Sequence, residues 1–210
     1  MTYRLAMFDF DGTLADSFPF LLSVFNTLAA RHAFRPIDLT RANDMRHYGV
    51  REMMRHVGMP AWKLPLVSRS FMALMQASGD QVKVFEGVPE AIAALQGAGM
   101  PLALVSSNSE HNVRRILGPE LAARFGRFEC GMSVLGKASR LRQVIRQAGI
   151  APAAAIYVGD HGADAQAAHK VGAAFGAVSW GYCPIESLRS HGAQMVFDRP
   201  ADLVAIAAGS

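Results

Sequence analysis

The sequence predicts an α/β protein, with a Rossmann-like, doubly wound parallel sheet and a helical segment inserted after the first strand. Three observations favour this fold class. An apolar run at residues 3–8 stops at an acidic, glycine-containing turn. Apolar residues recur at helical spacing through residues 17–83, and from residue 84 short apolar runs alternate with amphipathic stretches. Alternating strands and helices are typical of a parallel sheet covered by helices on both faces.

The first strand and the insert follow from the local pattern. Residues 3–8 are predicted to form a buried strand. The insert then opens with a helical face formed by Phe18, Leu21, Leu22, Phe25, Leu28 and Ala29. Two further helices are predicted at 51–57 and 64–76, no strand is predicted within the insert, and its hinges are expected near 15–17 and 83–87. We therefore assign 1–16 and 84–210 to a core domain and 17–83 to a helical insert.

The rest of the core is predicted to continue the alternation of helices and strands. Helices are expected at 89–97, 110–117, 138–148 and 164–171. Strands are expected at 102–105, within 124–133, and at 155–158, 174–180 and 194–197. Ligands of such sheets bind at the carboxyl ends of the strands, so the polar residues at those ends are the candidate functional residues.

Composition narrows the class of protein. The 210 residues carry a formal net charge of +4, but the arginines are scattered, so binding to nucleic acid is not expected. Cys130 and Cys183 are the two cysteines and have no CxxC spacing, so neither a disulfide framework nor a zinc site is predicted. The chain shows no leader pattern and no apolar run of membrane-spanning length. We expect a soluble cytoplasmic protein, monomeric or homodimeric, without a membrane partner.

The first strand ends in Asp9-Phe10-Asp11-Gly12-Thr13. Residues two apart in an extended segment point the same way, so both carboxylates can face one ligand. One carboxylate can attack phosphorus while the other donates a proton and then activates water. Their mutual repulsion would be relieved by a hard cation such as Mg²⁺. The alternative interpretation is a turn in which Asp and Gly only shape the backbone.

Polar residues also follow the later strands. Ser106, Ser107 and Asn108 end the strand at 102–105 and could hold phosphate oxygens at a helix N-terminus, although Ser and Asn there also suit a helix cap. Lys137 precedes a helix and could pair with phosphate or carboxylates; a solvated lysine is the alternative. Asp160 and Asp164 follow the strand at 155–158 and would complete an oxygen-rich metal site, although a Gly-Asp loop before a helix also occurs for structural reasons alone.

In this order, Asp9-Phe10-Asp11-Gly12-Thr13-Leu14, Ser106, Lys137 and the pair Asp160 and Asp164 resemble the four motifs of the haloacid dehalogenase-like superfamily. The resemblance covers nearly the whole chain. It implies that Asp9 is the nucleophile and a metal ligand, and that Asp11 is the general acid and base and binds metal through its carbonyl. Ser106 and Lys137 would stabilise the transferring phosphoryl group, together with Gly12, Ser107 and Asn108 as further phosphate contacts. Asp160 would bind Mg²⁺, and Asp164 would support the metal site or Lys137.

The same resemblance assigns the helical insert the part of a C1 cap, a lid that excludes water and contacts the substrate. Arg46 and Arg51 lie in a polar, glycine-containing stretch between predicted helices and are the candidate substrate contacts, with an ordinary interhelical loop as the alternative. One position departs from similar relatives, because His161 stands where a small hydroxyl residue is frequent. It is expected to cap the helix or face solvent.

The resemblance leaves several activities open. Asp11 favours phosphate esters over haloacids, since dehalogenases lack an acid at that place. Phosphonate-cleaving relatives need a lid lysine, and the setting of Lys63 does not match that motif. The leading interpretation is a magnesium-dependent phosphatase similar to phosphoglycolate phosphatases, acting on a small phosphorylated metabolite such as phosphoglycolate or a sugar phosphate. A phosphomutase of the β-phosphoglucomutase type and a non-catalytic binding protein on the same scaffold are the alternatives.

Overall fold

The architecture is a six-stranded parallel sheet with helices on both faces. The computed structural model describes residues 2–78, 81–131 and 136–208. The strands are β1 (Leu5–Phe8), β2 (Ala15–Asp16), β3 (Lys83–Val84), β4 (Leu102–Val105), β5 (Arg127–Glu129), β6 (Ala155–Gly159), β7 (Ala174–Val178) and β8 (Met195–Phe197). The helices are α1 (Phe18–His32), α2 (Val50–His56), α3 (Leu64–Ala77), α4 (Val88–Gly97), α5 (Glu110–Ala122), α6 (Lys137–Gln147), α7 (Gly162–Val171), α8 (Ile185–Ser190) and α9 (Ala205–Ala208).

The main sheet has the strand order β5-β4-β1-β6-β7-β8, and all its neighbours pair in parallel. From β1 the chain builds outward to β4 and β5, and then returns to the other side of β1 with β6. The order therefore reverses at β1, and the carboxyl ends of β4 and β6 flank that of β1. This is the doubly wound arrangement that the sequence predicts, and its ligand crevice lies at the reversal.

The three central strands of the sheet are wholly buried. All residues of β1, β4 and β6 are buried, as expected of parallel strands covered on both faces. Phe8 and Leu104 pack into the core on one face, and Met7 and Tyr157 pack into the core on the other. Within the described residues, no helix combines the length and apolar character needed to cross a bilayer.

The helical insert leaves and re-enters the core through a small antiparallel ladder. Ala15 pairs with Val84 and Asp16 with Lys83, at the two places where hinges are predicted, although two-residue strands were not expected there. Between them lie α1, α2 and α3. Part of the insert has its own apolar cluster, formed by Phe25, Ile37, Ala42, Met45 and Val57.

Several element boundaries differ from the prediction. After the helix expected at 110–117, Gly118 (φ +73°) leaves the helical path, and Pro119 begins a further turn that was not predicted and that ends at Ala122. Helix α8 was not predicted, since six residues carry too little periodicity to detect. Residues 79–80 of the predicted insert and residues 132–133 of the segment 124–133, within which a strand is predicted, lie outside the described residues. The same holds for residues 1 and 209–210 of the core domain.

Candidate active site

Three neighbouring strands deliver the polar residues of the candidate site. Asp9 follows β1, and its backbone N–H donates to the Val158 carbonyl of β6 at 2.9 Å. Ser106 follows β4 and is fully buried, and Asp160 follows β6 and is buried as well. The strand order therefore places at one edge the residues that are distant in sequence.

Lys137 is the centre of an ion-pair cluster at this edge. It is the first residue of α6, and its Nζ donates to Asp9 Oδ2 at 2.7 Å and to Asp164 Oδ1 at 2.6 Å. The side chains are largely withdrawn from water, with exposures of 13% for Lys137, 11% for Asp9 and 1% for Asp164. In this environment ion pairs are screened little by solvent, so the lysine holds both carboxylates firmly.

The cluster contains more negative than positive charge. Oxygen atoms of Asp9, Asp160 and Asp164 all lie within 4.8 Å of one another. Burial raises the pKa of Asp9 to about 7, because attraction by Lys137 only partly offsets it and Asp164 adds repulsion. Burial, with repulsion from Asp164 and Asp9, also raises the pKa of Asp160 well above its ordinary value. Burial alone would lower the pKa of Lys137, but Asp164 and Asp9 outweigh it and raise the pKa well above normal.

This charge imbalance fits a divalent cation. Clustered carboxylates are the hard oxygen ligands that Mg²⁺ prefers, and a cation would relieve the repulsion that raises the pKa values of Asp9 and Asp160. Asp164 is already engaged through both oxygens, since Oδ1 accepts from Lys137 and Oδ2 accepts from the backbone N–H of His161 at 3.1 Å. Its contacts therefore suit a residue that orients Lys137.

The Asp11 side chain contacts the side-chain amide of Asn108. Asn108 Nδ2 lies 3.3 Å from Asp11 Oδ1 and 3.2 Å from Oδ2. Burial raises the pKa of Asp11, and hydrogen bonds from Ser17 and Asn108 oppose that rise without cancelling it. A raised pKa favours the protonated form that a general acid needs. The backbone N–H of Asn108 donates to Ser106 Oγ at 3.1 Å, so Ser106 braces the loop that positions Asp11.

Two glycines allow Asp160 its position. A Cβ at Gly12, where φ is +79°, or at Gly181 would overlap the Asp160 side chain. The Tyr182 N–H donates to Asp160 Oδ2 at 2.8 Å, and the Tyr182 hydroxyl accepts from the Ser17 N–H at the same distance. Gly181 and Tyr182 are not among the residues predicted from the sequence. They directly follow the predicted strand 174–180. Because residues after the strands of such a sheet are candidate functional residues, their position could have identified them.

His161 connects this edge of the core with the helical insert. Its Nδ1 accepts from the Ala163 N–H at 3.4 Å, which confirms the expected capping of α7. The ring lies beside the insert, since a Cβ on Gly49 would stand 3.2 Å from His161 Cε1. Its Nε2 is buried and has no hydrogen-bond partner among the described residues. No catalytic part follows from these contacts.

The two arginines predicted to contact substrate lie in different settings. The Arg46 guanidinium lies 5.0 Å from the Phe18 ring centroid and 5.6 Å from that of Tyr182. Its Nε is buried without a hydrogen-bond partner in the described part of the chain. Arg51 is exposed near the start of α2. The structure thus brings Arg46 near the residues around Asp160, and the substrate-contact role of both arginines stays a prediction.

Comparisons with known proteins agree with the fold and the motifs. Residues 6–178 match the model of a family described as haloacid dehalogenase-like hydrolase. A phosphoglycolate phosphatase of Synechococcus elongatus is 32% identical over 202 residues, which cover 94% of each chain. An N-acetylmuramic acid 6-phosphate phosphatase of Pseudomonas aeruginosa is 26% identical, over 97% of this chain and 94% of the relative. The crystal structure of a Lactobacillus plantarum protein superposes with a TM-score of 0.84 at 21% identity, over 98% of this chain and 100% of that one.

Proposed function

The chain belongs to the haloacid dehalogenase-like hydrolases, and on that premise we propose that it is a phosphatase that hydrolyses a small phosphomonoester through an aspartyl-phosphate on Asp9. The observation that carries the proposal is the pairing of two carboxylates in unlike settings at the end of β1. Asp9 is ion-paired with Lys137, whereas the two oxygens of Asp11 lie 3.3 and 3.2 Å from the amide nitrogen of Asn108. Carboxylates with separate environments suit separate chemical roles.

The proposed reaction has two displacements. An Asp9 oxygen attacks phosphorus, the bond from phosphorus to the leaving oxygen breaks, and Asp11 transfers its proton to that oxygen. Asp11, now ionised, then accepts a proton from water as the water attacks the aspartyl-phosphate, which releases phosphate and restores Asp9. Lys137, supported by Asp164, would stabilise the charge on the transferring group, with the Ser106 loop and its backbone N–H groups on the opposite side.

Mg²⁺ is the proposed cofactor. Asp9 and Asp160 would hold the ion, with the Asp11 carbonyl as the further ligand that the family pattern implies. When bound, the ion supplies positive charge that lets an anionic nucleophile meet an anionic substrate. The helical insert is proposed to act as the lid, because it lies between β2 and β3 and its residues meet His161 and Asn108 at the site.

Phosphate release tests the proposal. The assay uses an aryl phosphate and phosphoglycolate with Mg²⁺ or with a chelator, and compares the wild type with Asp9→Asn. We expect activity that requires Mg²⁺ and falls by on the order of 10³-fold or more in the variant. Asp198→Asn, which makes the same change at an exposed carboxylate, is the matched control and should keep full activity.

The covalent intermediate separates phosphatase from mutase. Acid-quenched wild-type protein should carry one labelled phosphoryl group that turns over as rapidly as phosphate appears, and Asp9→Asn should carry none. A long-lived phosphoryl-enzyme that is discharged only by a second phosphorylated molecule would favour the mutase alternative. Equal activity of wild type and Asp9→Asn would contradict the proposed nucleophile.

A further inference from the structure

A cavity of about 570 Å³ opens beside Asp11 and extends into the helical insert. It lies between α1, α2 and α3, and its volume is in the range of pockets that enclose drug-sized ligands. Its walls are mainly apolar, with Leu21 and Phe25 from α1, Met53 from α2, and Val67, Phe71 and Met72 from α3. Asp11, Ser107 and Asn108 line it where it meets the core.

The inner face of α3 is less buried than that of an ordinary packed helix. Met75 is the buried member of its fourteen residues, whereas Val67, Phe71 and Met72 stay partly accessible along the cavity. Interiors of folded proteins are normally packed without voids larger than a water molecule. Apolar side chains around an open volume are therefore suited to an apolar ligand, which would remove their surface from water.

The position of Asp11 indicates which part of a substrate would occupy this cavity. In the proposed mechanism Asp11 protonates the oxygen of the leaving group, so that oxygen must lie within hydrogen-bond reach of its carboxylate. Asp11 also lines the cavity. The space open to the body of such a leaving group is the volume between α1, α2 and α3.

We infer that the substrate is a phosphomonoester whose leaving group is an apolar alcohol, an aryl or alkyl group that fills this cavity; the inference rests on the proposed function. A glycolate group would bring a carboxylate into these apolar walls, and a sugar would bring several hydroxyls that need partners. Within the described residues, Arg69 is the one cationic side chain of the lining, and it is exposed. Arg46 and Arg51 are not among the lining residues.

A series of straight-chain alkyl phosphates, from ethyl to hexyl, tests the inference, because lengthening the chain hardly changes the reactivity of the leaving group. With full-length protein and Mg²⁺, we expect kcat/KM to rise by about fourfold for each added methylene and to exceed that for phosphoglycolate at the longer lengths. Binding of the same series to Asp9→Asn should strengthen with chain length in parallel.

Two variants on adjacent positions of α3 localise the effect. Val67→Phe places a larger side chain in the cavity and should flatten the dependence of kcat/KM on chain length. Leu66→Phe makes a similar change at a side chain that is 47% exposed and outside the lining, and should keep the wild-type slope. Circular dichroism and urea unfolding verify that both variants fold.

The outcomes separate the two proposals. Turnover with phosphoglycolate preferred and no gain with alkyl length would overturn the apolar leaving group and leave the phosphatase in place. Loss of phosphoglycolate turnover in Arg69→Met would also overturn the apolar leaving group, because it would show that Arg69 binds the carboxylate of the substrate. No turnover of any ester, together with binding that does not depend on chain length, would overturn both.

Discussion

Replacing Asp9, the proposed nucleophile, should stabilise the metal-free protein. Asp9 is a buried carboxylate whose pKa is raised from 3.8 to about 7, mainly by burial. In the unfolded chain the Asp9 carboxylate ionises at its ordinary pKa. Above that pKa, folding must therefore either protonate Asp9 or bury its negative charge. Asp9→Asn removes this titration and keeps the shape of the side chain. The variant should therefore be more stable than the wild type in the presence of a chelator.

The magnitude follows from the pKa difference. Because the folded-state pKa is raised, the unfolded protein binds fewer protons between the two pKa values, and wild-type stability falls as the pH rises through this window. Each pKa unit corresponds to about 1.4 kcal/mol. The gain in free energy of unfolding for Asp9→Asn should thus start near zero around pH 4, reach at most about 4 kcal/mol near pH 7, and stay constant above it. Loss of the ion pair between Asp9 and Lys137 in the variant will reduce the measured gain in free energy of unfolding.

Urea unfolding in a chelator at pH 5, 6, 7 and 8 measures the gain. Asp198→Asn, at an exposed carboxylate, should track the wild type across the series. Adding Mg²⁺ should stabilise the wild type more than Asp9→Asn, because the variant lacks one anionic ligand. A variant that is less stable than the wild type at pH 8 in chelator would refute the reasoning, since it would mean that the ion pair with Lys137 outweighs the cost of burying Asp9.

Two further substitutions probe the same edge of the sheet. Lys137→Met should lower kcat by on the order of 10²–10³-fold, because it removes a positive charge that is positioned to stabilise the transferring phosphoryl group. Phosphate release measures this effect. Lys170→Met, at an exposed lysine of α7, is the control and should keep wild-type rates. Gly12→Ala combines a φ of +79° with overlap against Asp160, whereas Gly99→Ala has a φ of +77° and open space around its Cβ. Urea unfolding should show that the free energy of unfolding falls by about 1–2 kcal/mol for Gly99→Ala and by clearly more for Gly12→Ala. Equal decreases would contradict the proposed crowding between a Cβ at position 12 and Asp160.

The sequence allowed prediction of features that depend on strand order. Asp9, Ser106 and Asp160 follow buried apolar runs, and the carboxyl ends of parallel strands must share an edge, so their proximity could be expected without coordinates. The fold class is confirmed by the sheet order and by the matching structures. For Lys137 the residues alone leave a solvated lysine as the alternative, and the family resemblance supplies its role, because a lysine that begins a helix carries no local sign of the carboxylates it will meet.

Other features depend on packing that a linear pattern does not encode. Asn108 was expected to contact phosphate, yet its amide is directed at Asp11 and its Oδ1 accepts from Ser109 and Asn112. The direction of that side chain depends on the loop after β4. The position of Tyr182 after a predicted strand is its one sign in the sequence, because its contact with Asp160 uses the backbone N–H, and a backbone donor has no residue-type signature. Apolar spacing predicted the helices of the insert but not the open volume between them.

Asn108 links Asp11 to the helical insert. The Nδ2 that binds Asp11 also lies 3.3 Å from Met75 Sδ of α3. Nearby, Asn112 Nδ2 donates to the Met72 carbonyl at 3.2 Å, and Arg115 Nη2 donates to the Met75 carbonyl at 2.9 Å. These contacts fasten the C-terminal part of α3 to α5 of the core.

The anchoring of α3 constrains how the insert can move. Its C-terminal part is bonded to α5, whereas α2 faces the core beside His161 at Gly49. Because Met72 lines the cavity and Met75 contacts Asn108, a ligand that filled the cavity would press on the same helix that helps to fix the amide of Asn108. In the proposed mechanism, the fit of the leaving group would then affect the position of Asp11, the proposed general acid. The contact between Met75 and Asn108 would in that case couple the proposed substrate choice to proton transfer.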